Sequence, residues 1–264
     1  MTWFTATNPP PEPHLPLGWR EMAFDELDST NAALKRVVEQ GGEVGEGLLL
    51  WAKTQTGGRG RSGRAWQSPP GNVYASFLVK APEALRNAPE LGFVAALAVR
   101  DAILDFPRHN APPPMVAFKW PNDILIDDKK VCGMLTEIAT DPDGRPWIVL
   151  GIGINLVPVE VPEAAYPVGS LADSRVDTRP AHALTILSRT LAQWLETWRT
   201  DGFGAVRIAW EAYGPQPGTP LRVRLPEGPV SGAFVGLAED GALLLDTPGG
   251  RRKLMVGDVM FGEA

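Results

Sequence analysis

Two periods organise the apolar residues of this chain. At helical spacing, Ala33, Leu34, Val37 and Val38 follow Asp28-Ser29 and stop before Gly41, which predicts a short helix capped by Asp28 or Ser29. Leu91, Val94, Ala95, Ala98, Val99, Ala102 and Ile103 predict a second helix from about Pro89 to Leu104, with Pro89 in its first turn. A third, roughly Ala181–Thr200, carries Leu184, Leu187, Leu191, Leu195 and Trp198, and its Trp194 and Trp198 read as core. Shorter apolar runs predict strands at Leu48–Ala52, Val73–Val79, Val116–Trp120, Ile124–Ile126, Val131–Ile138 and Trp147–Asn155. The polar link Asp127–Lys130 reads as a hairpin. After Gly214-Pro215-Gln216-Pro217-Gly218 come four more short runs, Leu221–Leu225, Val230–Leu237, Ala242–Asp246 and Arg251–Met255, punctuated by glycines. That spacing suggests a small, bent antiparallel barrel of about 50 residues. The expected organisation is a proline-rich arm over 1–16, a large domain over 17–214 and a small one over 215–264.

Composition narrows the class. A chain of 264 residues with 44% hydrophobic content can bury a substantial core. Its single cysteine, Cys132, rules out an internal disulfide framework and points to a reducing, cytoplasmic setting. The N-terminus lacks the apolar stretch of a secretory signal, and no apolar run approaches the roughly 18 residues of a membrane span. A net charge of −6 argues against general nucleic-acid binding, which needs a broad basic surface.

Against that acidic background, Lys53–Trp66 stands out. It holds Lys53, Arg59, Arg61 and Arg64, no acid, and Gly57, Gly58, Gly60 and Gly63. Glycines let backbone N–H groups approach a ligand, and arginine forks suit carboxylate or phosphate oxygens. The segment reads as a loop that closes over an anionic ligand; a solvated basic loop remains the alternative. Repulsion among its arginines and the entropy of its glycines predict mobility until an anion arrives, with Trp66 as packed hinge.

Four further stretches carry candidate chemistry. Lys119-Trp120-Pro121-Asn122-Asp123 places a lysine at a strand end and an aspartate just past a turn, a pair suited to a phosphate and its Mg²⁺; it is also simply a good turn. In Lys129–Leu135 strand alternation sends the two lysines to opposite faces, with Lys130 in phase with Cys132 and Met134 and pointing inward beside Gly133. In Trp147–Asn155, Gly151, Gly153 and Asn155 share a face, which suggests a ligand lying flat across the sheet there. Asp28-Ser29-Thr30-Asn31 can cap a helix and meet a ligand at once.

In order and wording these stretches resemble the catalytic domain of biotin protein ligases. The signature Gly-Arg-Gly-Arg-x-Gly-Arg-x-Trp stands at Gly58–Trp66 and Lys-Trp-Pro-Asn-Asp at Lys119–Asp123. Lys-x-x-Gly-Ile-Leu-x-Glu stands at Lys130–Glu137, with Met134 in the isoleucine place, and Gly-x-Gly-x-Asn at Gly151–Asn155. The resemblance spans about residues 20–260. It implies an α+β fold: a mixed sheet flanked by helices, then an SH3-like barrel. Residues 1–19 are too short and proline-rich for a helix-turn-helix, so no DNA partner is expected, and no membrane one. No residue of the loop near Tyr166–Asp173 matches the family's wording closely enough to transfer a role.

The resemblance also implies the chemistry. Biotin and MgATP would form biotinyl-5′-AMP, and the biotin would pass to a lysine of a biotin carboxyl carrier protein, with no tightly bound cofactor. Ser29, Thr30, Asn31, Gln55, Arg59, Gly60, Arg61, Lys130 and Gly133 would face biotin. Arg61, Arg64, Trp66, Lys119, Asn122, Asp123 and Asn155 would face the nucleotide, with Asp123 helping to hold Mg²⁺. Lys130, Arg61 and Lys119 would stabilise charge in the reaction. Lipoate or octanoate attachment, or a non-catalytic biotin-responsive regulator, are the competing readings.

Overall fold

The periodicities resolve into two sheets and three helices in the computed structural model, which describes residues 12–80, 84–161 and 166–260. The expected proline arm lies outside the described residues up to position 11. The large sheet runs β1-β2-β3-β7-β6-β5-β4. Its strands are β1 (Arg20–Leu27), β2 (Leu48–Gln55), β3 (Val73–Lys80), β4 (Val116–Lys119), β5 (Asp123–Ile126), β6 (Lys129–Thr140) and β7 (Pro146–Ile154). β1 and β2 are parallel and the other neighbours antiparallel, so the sheet is mixed. β1 has no counterpart among the sequence expectations, because Glu21, Asp25 and Glu26 break its apolar alternation.

Alternation along the central strands sorts the core into two layers. Leu49, Trp51, Phe77, Leu150 and Ile152 face α2 (Ala84–Asp105) and α3 (Pro180–Glu211). Leu48, Leu50, Leu78 and Val149 face α1 (Thr30–Glu39) with Leu34 and Val38. α2 starts about a turn earlier than its apolar face announced, leaving Pro89 inside it. α3 runs past the expected Thr200 to Glu211 as two helices joined at Gly202, whose φ of 75° leaves the helical region. The second piece is held because Val206 and Trp210 are buried. Trp194 and Trp198 pack against the core as expected, donating to Asp101 and Glu90.

The C-terminal segment forms a five-stranded antiparallel sheet in the order β11-β10-β9-β8-β12. Its strands are β8 (Pro220–Leu225), β9 (Gly228–Leu237), β10 (Leu243–Thr247), β11 (Gly250–Leu254) and β12 (Asp258–Met260). The pairing leaves β11 and β12 as edges among the described residues, so it is an SH3-like sheet and no closed barrel. Leu221, Val223 and Phe234 belong to the same hydrophobic cluster as Phe203 and Trp210 of α3. Trp120 Nε1 donates to Gly241 O at 3.0 Å across the same boundary. β12, too short to show in the sequence pattern, thereby reaches the end of β4. No described helix is long and apolar enough to cross a membrane.

Candidate functional site

α1 covers only part of its face of the sheet, and the uncovered part holds a cavity of about 540 Å³. Its floor is where β6 and β7 pair Gly133 with Gly153 and Leu135 with Gly151. The glycines were expected to seat a ligand directly. They seat side chains of the protein instead. A Cβ on Gly153 would lie 2.7 Å from the Trp66 ring, one on Gly133 2.8 Å from it, and one on Gly151 2.3 Å from Asn31 Oδ1. The Trp66 indole and the Asn31 amide therefore form the inner wall of the cavity.

One end of the cavity is lined by neutral hydrogen-bonding groups. Ser29 caps α1, its side chain accepting from Ala32 N at 3.4 Å. The backbone N–H of Thr30 donates to Gln55 Oε1 at 2.9 Å, and Gln55 Nε2 donates to Ser68 Oγ at 2.9 Å. Ser76 Oγ lies 2.8 Å from Thr30 Oγ1 and 2.6 Å from Asn31 Oδ1. Asn31 Nδ2 donates to Leu135 O and, at 2.9 Å, to Glu137 Oε2. These dipoles are fixed by one another, an arrangement that recognises a compact polar head carrying both donors and acceptors.

The other end is charged. Lys130 does face the cavity, but the alternation argument for it fails. Ile124 pairs with Cys132 and Leu125 with Lys130, so Val131 is an extra residue on β6, a β-bulge. The bulge reverses the phase: Cys132 and Met134 turn into the α2 layer, while Lys130 joins Gly133 and lies over it. Lys130 Nζ is 2.6 Å from Asp123 Oδ1 and 5.2 Å from the Trp66 ring centre. Lys119 Nζ lies 3.5 Å from Asp123 Oδ2 and 2.9 Å from Asp258 Oδ1. Tyr166 OH donates to Asp123 Oδ2.

The loop arginines were expected to repel one another until an anion came. Each already meets an oxygen of the protein. Arg64 pairs with Asp258 at 2.8 Å and Arg59 with Glu137 at 3.7 Å. Arg61 donates to Asn122 Oδ1 at 3.4 Å and Gly257 O at 3.3 Å. Burial pulls the Arg61 pKa below the usual arginine value, opposed by Asp258 and Asp123. Burial pushes the Asp258 carboxyl up, yet Lys119 and Arg64 outweigh it and hold it below the usual carboxylate value. Carboxylates thus meet Arg59 and Arg64, while Arg61 has only neutral oxygens in hydrogen-bond reach among the described residues.

Every residue expected at the site lines this cavity except Lys119, which is 1% exposed beneath Asp258 and Tyr166. Asn155 is buried at its margin and donates to Gly169 O. Sequence reasoning missed Ser68, Ser76, Tyr166 and Asp258, none of which sits in a conspicuous motif. Glu137 stood in a quoted motif, without a role.

Comparisons with known proteins agree with one another. Residues 24–155 match the model of the Biotin/lipoate A/B protein ligase family, and residues 218–262 that of the biotin protein ligase C terminal domain. A biotin–[acetyl-CoA-carboxylase] ligase of Paracoccus denitrificans is 34% identical over 89% of this chain and 98% of its own length. One of Mycobacterium tuberculosis is 31% identical over 92% and 90%. The structure of the Aquifex aeolicus biotin protein ligase in complex with biotin and ATP is 30% identical, with a TM-score of 0.74 over 91% of this chain and 97% of that one.

Proposed function

The chain belongs to the biotin/lipoate A/B protein ligase family, and on that premise we propose that it joins biotin to a lysine of an acetyl-CoA carboxylase carrier protein in two steps at this one cavity. The observation that carries the reading is the join within the cavity. A neutral, dipole-lined end runs into a cation-lined end, and Lys130 stands between them over Gly133. Biotin divides in the same way, with a neutral ureido head, an aliphatic stem and a carboxylate. The biotin protein ligase match at the C-terminus sides with biotin rather than lipoate.

In the first step a biotin carboxylate oxygen attacks the α-phosphorus of MgATP, the bond to the β-phosphate oxygen breaks, and pyrophosphate leaves. Two anions must meet, so catalysis is positioning and charge neutralisation. Ser29, Thr30, Asn31 and Gln55 hold the ureido head, and Arg59 and Gly60 cover the stem; Trp66, expected on the nucleotide side, lies over Gly133 and Gly153 as a wall that the stem and the nucleotide share. Lys130 bridges the carboxylate and the α-phosphate. Arg61, Arg64 and Lys119 meet phosphate oxygens, and Asn122 and Asn155 orient the nucleotide side. Mg²⁺ would enter with the nucleotide as part of the substrate, where it would neutralise phosphate charge, and Asp123 is the carboxylate that would help to hold it. In the second step the acceptor's deprotonated lysine amine attacks the acyl carbon, AMP leaves, and the amine sheds its remaining extra proton to solvent.

The same reading divides the chain near residues 214 and 215, places the enzyme in the cytoplasm with its acceptor, and includes no DNA partner. Biotin-dependent exchange of labelled pyrophosphate into ATP tests it. Exchange that requires biotin, followed by labelling of an apo carrier domain, is expected. Exchange supported by lipoate instead, or none at all, would sink the proposal.

A further inference from the structure

The charged end of the cavity presents Arg61, Arg64 and Lys130, but its deepest corner is covered. Lys119 is 1% exposed and off the cavity wall, and Asp123 shows only 5% of its surface, so a phosphate oxygen reaches Lys119 only when a side chain moves. Tyr166 is the side chain common to the buried groups. Its ring lies 4.1 Å from Lys119 Nζ, its hydroxyl donates to Asp123 Oδ2, and its hydroxyl oxygen accepts from Lys130 Nζ at 3.3 Å. The phenol satisfies the partners of a phosphate group, taking a hydrogen bond from the lysine and covering the carboxylate that would face the metal ion.

We propose that Tyr166 is a side-chain gate on the phosphate end of the cavity, a built-in competitor that the nucleotide must displace. The inference rests on the ligase reading only in that it needs a nucleotide to bind here. Three features make the phenol a good competitor and a poor permanent occupant. It is neutral, since burial and the neighbouring Asp123 carboxylate push its pKa above the ordinary phenol value. It therefore leaves Lys119, Lys130, Arg61 and Arg64 facing two carboxylates, Asp123 and Asp258, an excess of two positive charges that a polyphosphate neutralises and a phenol does not. The chain just after it is pinned: Lys130 N donates to Pro167 O and Gly169 N to Lys130 O, each at 2.9 Å. Opening is thus a swing of one side chain, with the Pro167–Gly169 backbone staying on β6.

A closed fraction of sites weakens apparent affinity by the same fraction. Calorimetric titration with magnesium α,β-methylene-ATP, whose α–β bridge does not cleave, reads this directly. Tyr166→Ala should bind the analogue about 3- to 10-fold more tightly than the unsubstituted enzyme. Tyr166→Phe, which keeps the ring over Lys119 and loses the bond to Asp123, should fall between the two and guards against a packing defect in the alanine variant. Weaker binding by both variants would make Tyr166 a nucleotide contact and overturn the gate, and so would unchanged affinity. If the unsubstituted enzyme binds no analogue and shows no biotin-dependent exchange, the ligase reading itself fails and the gate falls with it. Binding with exchange but no gain in the variants sinks the gate alone.

Discussion

Lys130 shows how much turns on one residue's phase. Its ammonium lies over Gly133 only because Val131 is bulged, and its neighbour Lys129 pairs with Ile126 at the exposed hairpin tip. Lys130→Ala should therefore cut adenylate formation by about 10²-fold or more, the loss typical of one charge-stabilising donor. Lys129→Ala should leave it nearly unchanged, and equal losses at both positions would refute the assignment. The glycine floor makes a second residue-level prediction. A methyl group on Gly153 would stand 2.7–2.9 Å from the Trp66 indole. Gly153→Ala should displace that wall, destabilise the protein by about 1–3 kcal/mol as overpacking does, and weaken biotin binding. Urea unfolding and a biotin titration check both. A variant with wild-type biotin affinity would mean that Trp66 does not shape the biotin site.

At the scale of elements, the Gly/Arg loop is the case where sequence and structure differ most usefully. Its chemistry was legible: four glycines and three arginines between two strands. Its tethers were not, because Glu137, Asn122 and the Gly257–Asp258 corner lie on β6, the β4–β5 turn and the C-terminal sheet. The loop itself forms a tight turn at Arg61–Gly63 with left-handed backbone, Ser62 at φ 56° and Gly63 at φ 72°, closed by a bridge between Arg59 and Ala65. Exposed ion pairs of this kind contribute only about 0–1 kcal/mol each, against about 1–2 kcal/mol of backbone entropy per ordered residue. Trypsin should therefore cut at Arg59, Arg61 or Arg64 readily without ligand, and much more slowly with biotin and MgATP bound. Equal cutting rates in both conditions would show that the ligand does not secure the loop.

Across the whole molecule, Asp258 is the point where the C-terminal sheet enters the charged end of the cavity. It accepts from Lys119, which is nearly inaccessible to solvent, and from Arg64. Asp258→Asn removes the counter-charge and leaves the Lys119 ammonium with a weaker acceptor. The expected loss is about 1–3 kcal/mol of stability at neutral pH. The pH dependence follows from the direction of the shift. The folded-state pKa of Asp258 is lowered, so its contribution is present above the unfolded aspartate value of about 3.9 and disappears as pH falls through the folded value. Unfolding free energies of the two proteins should differ at neutral pH and converge at acid pH. A difference that persisted in acid would assign the effect to packing.

The sequence by itself determined the local matters: the three helices and most strands, and the residue types at each end of the cavity. It could do so because periodicity, turn chemistry and motif spacing are written within a few neighbouring residues. The tertiary structure alone decided which of those residues meet. The bulge that turns Lys130 onto Gly133 exists only in the register between β5 and β6. The glycines of β6 and β7 receive Trp66 and Asn31, whose approach across the sheet face no strand pattern records. Asp258 reaches Lys119 from 139 positions away, and Tyr166 reaches Asp123 from 43. Alternation along one strand is a local property of the backbone, whereas the partner of a buried charge is settled by long-range pairing and packing, and that is where this site is made.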